Sequence, residues 1–163
     1  MAIYRIYPEK DATILSEPNT AGVYGNAGLD EILEVRSFPD DDGIGRSSRI
    51  LIKFSDRDIS SALSTKVSGA YSASIHLYLA DGVQLPQEYT VEAHRINGSW
   101  LQGTGKLGDS PANTTGVTWI AKKPGTNWTT PGGDFTVDSS SSSEKFNLVS
   151  SLDLDIDITG YIN

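Results

Sequence analysis

The sequence predicts an all-β fold, an antiparallel β-sandwich of jelly-roll type with one short helix near residues 56–65. Three observations carry this. Apolar residues recur with a period of two, most clearly in Leu152-Asp153-Leu154-Asp155-Ile156-Asp157-Ile158-Thr159, the mark of a strand with one buried and one wet face. Turn-forming residues interrupt the chain at short intervals, and many short strands between turn signals imply a sandwich or barrel. One segment alone has helical spacing behind a capping signal. The 163 residues suit a single domain, 1–163, with a core large enough to need no covalent staples.

In chain order, weak strands are expected at Ile3 to Tyr7, Ala12 to Leu15 and Ile32 to Val35, with turns at Gly22, Gly25 and Gly28 between them. An acidic turn, Pro39-Asp40-Asp41-Asp42-Gly43, leads to a strand in which Ile50, Ile52 and Phe54 alternate with Arg49, Leu51 and Lys53. Ser55-Asp56-Arg57-Asp58 is a capping box in its looser Ser-x-x-Asp form, and Ile59, Ala62 and Leu63 follow at helical spacing, so a helix over 56–65 crosses between the sheets. Strands follow where Ile75, Leu77 and Leu79 alternate with His76 and Tyr78, and where Val91 and Ala93 alternate with Glu92 and His94; Asp81-Gly82 and Asn97-Gly98 supply turns. Asn97 to Asp138 is rich in Gly, Thr, Asn and Pro and carries all three tryptophans. Long loops are expected there, with a short strand at Val117 to Ala121 and a turn at Pro131-Gly132-Gly133. Ser139 to Ser143 is read as a solvated loop or hairpin tip, Phe146 to Val149 as a weak strand, and 152–159 as the closing strand.

Composition narrows the function classes. Thirteen Lys and Arg against 21 Asp and Glu give a net charge of -8. With its basic residues scattered, the chain is expected to bind neither nucleic acid nor an anionic membrane. No Cys is present, which excludes disulfides and thiol chemistry. No signal peptide and no apolar run long enough to span a bilayer are visible.

Each motif with chemical content has a plainer reading. Gly103-Thr104-Gly105-Lys106 has part of a phosphate-loop pattern, but Leu107 follows the lysine and Trp100 stands where the first glycine belongs. His76 and His94 fall on outward faces of separate strands and read as polar cross-strand neighbours rather than zinc ligands or bases. Asp153, Asp155 and Asp157 share one strand face at about 6.5–7 Å spacing. Their repulsion calls for a nearby cation; Lys or Arg is favoured over Ca²⁺, and no cofactor is predicted. Asp40 to Asp42 lacks the spacing of a calcium loop. Asn97-Gly98-Ser99, Asn113-Thr114-Thr115 and Asn127-Trp128-Thr129 match the glycosylation pattern, as chance allows at this Asn, Ser and Thr content. Trp100, Trp119 and Trp128 are the candidate contact or sugar-stacking surface, with core or rim residues as the plainer reading. No acid/base constellation is found, so the expectation is a protein that binds or assembles rather than an enzyme.

The order of these pieces resembles the DNRLRE-domain family of jelly-roll modules, relatives of carbohydrate-binding modules. The resemblance runs from Asp11-Ala12-Thr13-Ile14 and Tyr24-Gly25-Asn26 through Arg49-Ile50-Leu51-Ile52-Lys53-Phe54 and Ala73-Ser74-Ile75-His76-Leu77-Tyr78-Leu79. It continues in Ser99-Trp100, Gly116-Val117-Thr118-Trp119 and Gly132-Gly133-Asp134-Phe135, and ends in Leu154 to Ile162. The stand-alone form opening Ala-Ile-Tyr-Arg-Ile-Tyr-Pro-Glu-Lys-Asp-Ala-Thr-Ile resembles virion structural proteins of large tailed phages of marine bacteria. That resemblance implies a capsid decoration, neck, tail or fibre-associated component, made in the host cytoplasm and located in the virion. Its partners would be other virion proteins in symmetric copies, with the Trp-bearing loops as contact surface. The alternative is a carbohydrate-binding module for a cell-surface polysaccharide.

Overall fold

The computed structural model describes residues 3–39, 43, 45–65, 69–81, 88–137, 142–146 and 153–162. Two compact units make up the chain. One comprises Met1–Lys66 with Gly98–Asp134, the other Val67–Asn97 with Phe135–Asn163; no shift in composition marks this division. All strand pairs among the described residues are antiparallel. The protein is of the all-β class with one short α-helix, although its sheets are small. No helix is long and apolar enough to cross a membrane.

In the first unit, β1 (Pro8–Leu15), β2 (Ser37–Pro39) and β3 (Gly45–Phe54) form a sheet in the order β1-β3-β2. Ala12, Thr13, Ile14 and Leu15 are all buried, so the end of β1 is covered on both faces and shows no alternation. Leu51, which alternation would turn outward, is buried, while Ile50, Ile52 and Phe54 are half-buried. The helix α1 (Asp56–Thr65) starts where its capping signal stands. Ser55 accepts the Asp58 N–H on its Oγ at 3.3 Å and the Ile59 N–H on its carbonyl at 3.0 Å. Asp56 and Asp58 lie in the first turn, where negative charge favours the helix dipole.

Three expected strands in this unit are corrected. Ile3 to Tyr7 forms no strand and, apart from half-buried Ile6, stands exposed ahead of β1, and Ile32 to Val35 forms no strand. Val117 to Ala121 is irregular up to β7 (Ala121–Lys123), which pairs with β8 (Thr126–Asn127).

The reason for the last lies in one buried amide. Asn26 is 1 % exposed. Its Nδ2 donates to the carbonyls of Gln102 at 2.7 Å and Val117 at 2.8 Å. Its Oδ1 accepts the Gly105 N–H at 2.8 Å, and its own N–H donates to the Asn113 carbonyl at 2.7 Å. Val117 also donates its N–H to the Leu101 carbonyl at 2.7 Å. The 113–118 segment thus spends its backbone groups on an amide and a loop rather than on a ladder. The approach is close enough to demand glycine. A Cβ on Gly28 would lie 1.9 Å from the Gln102 carbonyl oxygen, and one on Gly103, at φ +79, would lie 2.4 Å from Asn26 Oδ1. Gly103 and Gly105 therefore serve this packing, the plain alternative to a phosphate loop.

In the second unit, β4 (Ser74–Tyr78) pairs with β11 (Asp153–Asp157), β5 (Tyr89–Ala93) with β10 (Ser142–Phe146), and β6 (Arg95–Ile96) with β9 (Phe135–Thr136). A 3₁₀ turn at Thr159–Tyr161 follows β11. The alternation of the closing strand is as expected: Ile156 is 3 % exposed, Leu154 half-buried, and Asp153, Asp155 and Asp157 exposed. Ser142 and Ser143, read as loop, belong to β10 and face Ala93 and Glu92. Phe146 belongs to β10, and the rest of the strand expected at Phe146 to Val149 lies outside the described residues. Asp40 to Asp42, Gly82, Asp138 to Ser141, and 147–152 lie outside the described residues.

Replacing Asn26 with Ala is expected to strand two carbonyls and an N–H inside the first unit. At about 1–3 kcal/mol for each buried unsatisfied group, the loss is about 3 kcal/mol or more, read as a fall in the urea midpoint. Asn26→Asp, which sets an oxygen against the Gln102 and Val117 carbonyls, should unfold at lower urea as well.

Candidate functional site

The loops held by Asn26 build an open cleft of about 220 Å³. Its apolar lining includes Leu15 from the end of β1, Val23 and Leu107; its charged lining is Glu17, Arg36, Lys106 and Asp109. Each wall is pinned locally. Asn19 Oδ1 accepts the N–H groups of Ala21 at 3.0 Å and Val23 at 2.9 Å, closing a tight turn through Gly22 at φ +75. On the other wall, the Asp30 carboxylate accepts the Leu107 N–H at 3.0 and 3.1 Å, and Asp109 accepts that of Lys106 at 2.9 Å. Arg36 lies 3.3 Å from both Glu17 and Glu34, and Lys106 3.7 Å from Glu31. The cleft thus joins an apolar floor to a charged rim, an arrangement suited to holding a large side chain by its face and its polar tip. A second opening of about 390 Å³, also lined by Val23, has Tyr24, Thr114, Ile120 and Pro124 around it.

The three tryptophans lie elsewhere than on a free surface. Trp100 and Trp128 are each 5 % exposed, which removes them as stacking platforms. Lys10 Nζ sits 4.5 Å from the Trp100 ring centroid and donates to the Trp100 carbonyl. Trp128 Nε1 donates to the Thr118 carbonyl at 3.1 Å, with Lys122 Nζ 5.8 Å from its ring. Trp119 is half-buried; the Arg49 guanidinium covers it at 5.0 Å and donates to the Gly132 carbonyl at 2.6 Å. Partial burial lowers the Arg49 pKa from its ordinary value. These rings brace the 118–134 loop instead of offering a face.

The Asp134 carboxylate closes that loop. It accepts the Thr130 N–H at 2.9 Å and the Thr129 hydroxyl at 3.2 Å, with Lys122 Nζ at 3.8 Å. The Thr130 N–H foremost holds its pKa below the ordinary carboxylate value.

In the second unit, His76 faces Asp155 across the β4–β11 ladder with 3.6 Å between Nε2 and Oδ1, the polar cross-strand pair expected of it. Asp155 therefore has an imidazole where Lys or Arg was expected. Asp153 accepts the Leu79 N–H at 3.2 Å. Asp157 accepts the Thr159 N–H at 2.8 Å, and Thr159, by side chain and backbone, lowers its pKa. His94 lies 3.1 Å from Glu92 and its ring centroid 5.0 Å from that of Phe135. Among the described residues, no group of three or more His, Cys, Asp or Glu is placed to hold a metal ion.

The sequence reading missed the cleft. Its lining comes from three separated segments, and the only local signal was the glycine spacing around Asn26.

A depressed Asp134 pKa adds stability that is present above the unfolded carboxylate value and is lost as pH falls through the folded one. The urea-midpoint gap between wild type and Asp134→Asn should therefore be widest near neutral pH and shrink as acid takes the carboxylate through its lowered folded-state pKa; a gap constant with pH would contradict this. Compared with family models, curated proteins and solved structures, the chain matches none.

Proposed function

We propose that this chain is a non-enzymatic structural component of a bacteriophage particle, a capsid decoration, neck, tail or fibre-associated protein that works by protein–protein assembly. The resemblance of its opening segment to virion structural proteins supports the particle. The observation that carries assembly is the exposed apolar segment before β1, where Ile3, Tyr4 and Tyr7 are 81, 54 and 79 % exposed. Aromatic and aliphatic side chains in such a run are what protein interfaces bury. The exposure of this segment and of the cleft, against the burial of Trp100 and Trp128, supports a contact surface on the former.

A carbohydrate-binding module is the second reading, favoured by the half-buried Tyr24 beside Thr114 and Pro124 in the second opening.

Immunogold electron microscopy of a lysate of the source, with antibody to this chain, should decorate phage particles, and the position of the gold separates head, neck, tail and fibre. Bare particles with gold on cell surfaces would overturn the particle reading. In that case, binding to host polysaccharide should be abolished by Tyr24→Ala at an unchanged unfolding midpoint.

A further inference from the structure

We infer that residues 3–7 of one copy seat in the Leu15–Val23–Leu107 cleft of a second copy, joining copies head to tail. The inference rests on the assembly reading and names the partner as this chain itself.

The segment Ile3-Tyr4-Arg5-Ile6-Tyr7 presents three large apolar side chains and one charge, Arg5. Ile6 is half-buried, while the other four residues are exposed. The segment is thus anchored near β1 and uncovered at its tip. Leu107 in the cleft wall is 53 % exposed and the neighbouring Leu29 48 %. Both apolar surfaces are open in the single chain.

Their placement explains why one copy does not satisfy itself. Pro8 and Leu15 are the two ends of β1. Seven steps at about 3.3 Å separate them by about 23 Å. The segment leaves the Pro8 end, and the cleft opens at the Leu15 end. Five residues fully extended span about 17 Å, short of that separation, so a neighbour's segment can occupy the cleft that the chain's own segment does not reach.

Charge selects the same pairing. On a chain of net charge -8, a second copy is repelled unless a basic element leads. Glu17 and Glu34 flank Arg36, Glu31 neutralises Lys106, and Asp30 and Asp109 add two negative charges held by backbone N–H donors. Glu17, Arg36, Lys106 and Asp109 line the cleft itself in balanced charge; the carboxylates of Glu31 and Glu34 beside its two cations and of Asp30 on the Leu107 N–H make its surroundings net negative, complementary to Arg5. A tyrosine of the segment supplies a flat face for the leucine and valine floor and a hydroxyl for the polar rim. Because the two surfaces differ, the contact is heterologous. It closes into a ring or propagates as a filament, which suits a protein present in repeated copies.

Sedimentation velocity of the full chain over a concentration series tests this. Wild type should form species larger than a dimer as concentration rises. Tyr4→Ser/Tyr7→Ser and Leu107→Glu, both at exposed positions and checked for folding by circular dichroism, should each sediment as a monomer. An equimolar mixture of these two should give a dimer and nothing larger, since one intact segment meets one intact cleft. A monomeric wild type, assembly that survives either variant, or a mixture that stays monomeric overturns the inference. Immunogold labelling reads the particle assignment separately. A particle-borne chain that does not self-associate sinks only the pairing, and a self-associating chain absent from particles sinks only the virion reading.

Discussion

One fully engaged amide, that of Asn26, is the constraint on which the first unit depends. Its side chain uses both donors and its acceptor on backbone groups of Gln102, Val117 and Gly105, and its N–H holds Asn113. A buried amide with every group satisfied is worth more as a specifier than as a source of net stability, because leaving any partner unmade is costly. It draws segments some 80 to 90 residues apart in sequence into one register. That register then dictates glycine at 28 and 103, where no side chain fits.

The long 97–134 stretch gains its order in a second way. With little ladder to satisfy it, its shape comes from rings braced by cations: Lys10 at Trp100, Arg49 at Trp119, Lys122 at Trp128. Long basic side chains lay their stems along the rings and keep their heads near carbonyls and carboxylates. Lys122 and Arg49 each serve two partners, Asp134 and Gly132 respectively. The tryptophans thus act as internal pillars, and the surface left for recognition shifts to the short loops around the cleft and the segment before β1. Loops pinned by a rigid framework are where binding surfaces commonly form.

The second unit is simpler. Its closing strand keeps three carboxylates on one exposed face without crowding them, because each has its own local partner: a backbone N–H for Asp153, His76 for Asp155, Thr159 for Asp157. Exposure does the rest, since water screens like charges at this spacing.

The sequence by itself determined the all-β class, the helix at Asp56–Thr65 and the closing strand around Ile156, because each rests on local rules. Ser55 caps from three residues away, and period two needs only neighbours. Tertiary structure alone decided what depends on distant partners. β1 and β3 lose their alternation where the sheet is covered on both faces, so Leu51 is buried. Val117, strand-like in composition, has no ladder because Asn26 and Leu101 claim its backbone. Trp100 and Trp128, equally suited by composition to a platform or a core, became core. The cleft, assembled from Leu15, Val23 and Leu107, exists only once Asn26 has closed loops that the linear chain keeps far apart. A hydrogen-bonding amide has no period and no spacing, so its partners become visible only in the fold.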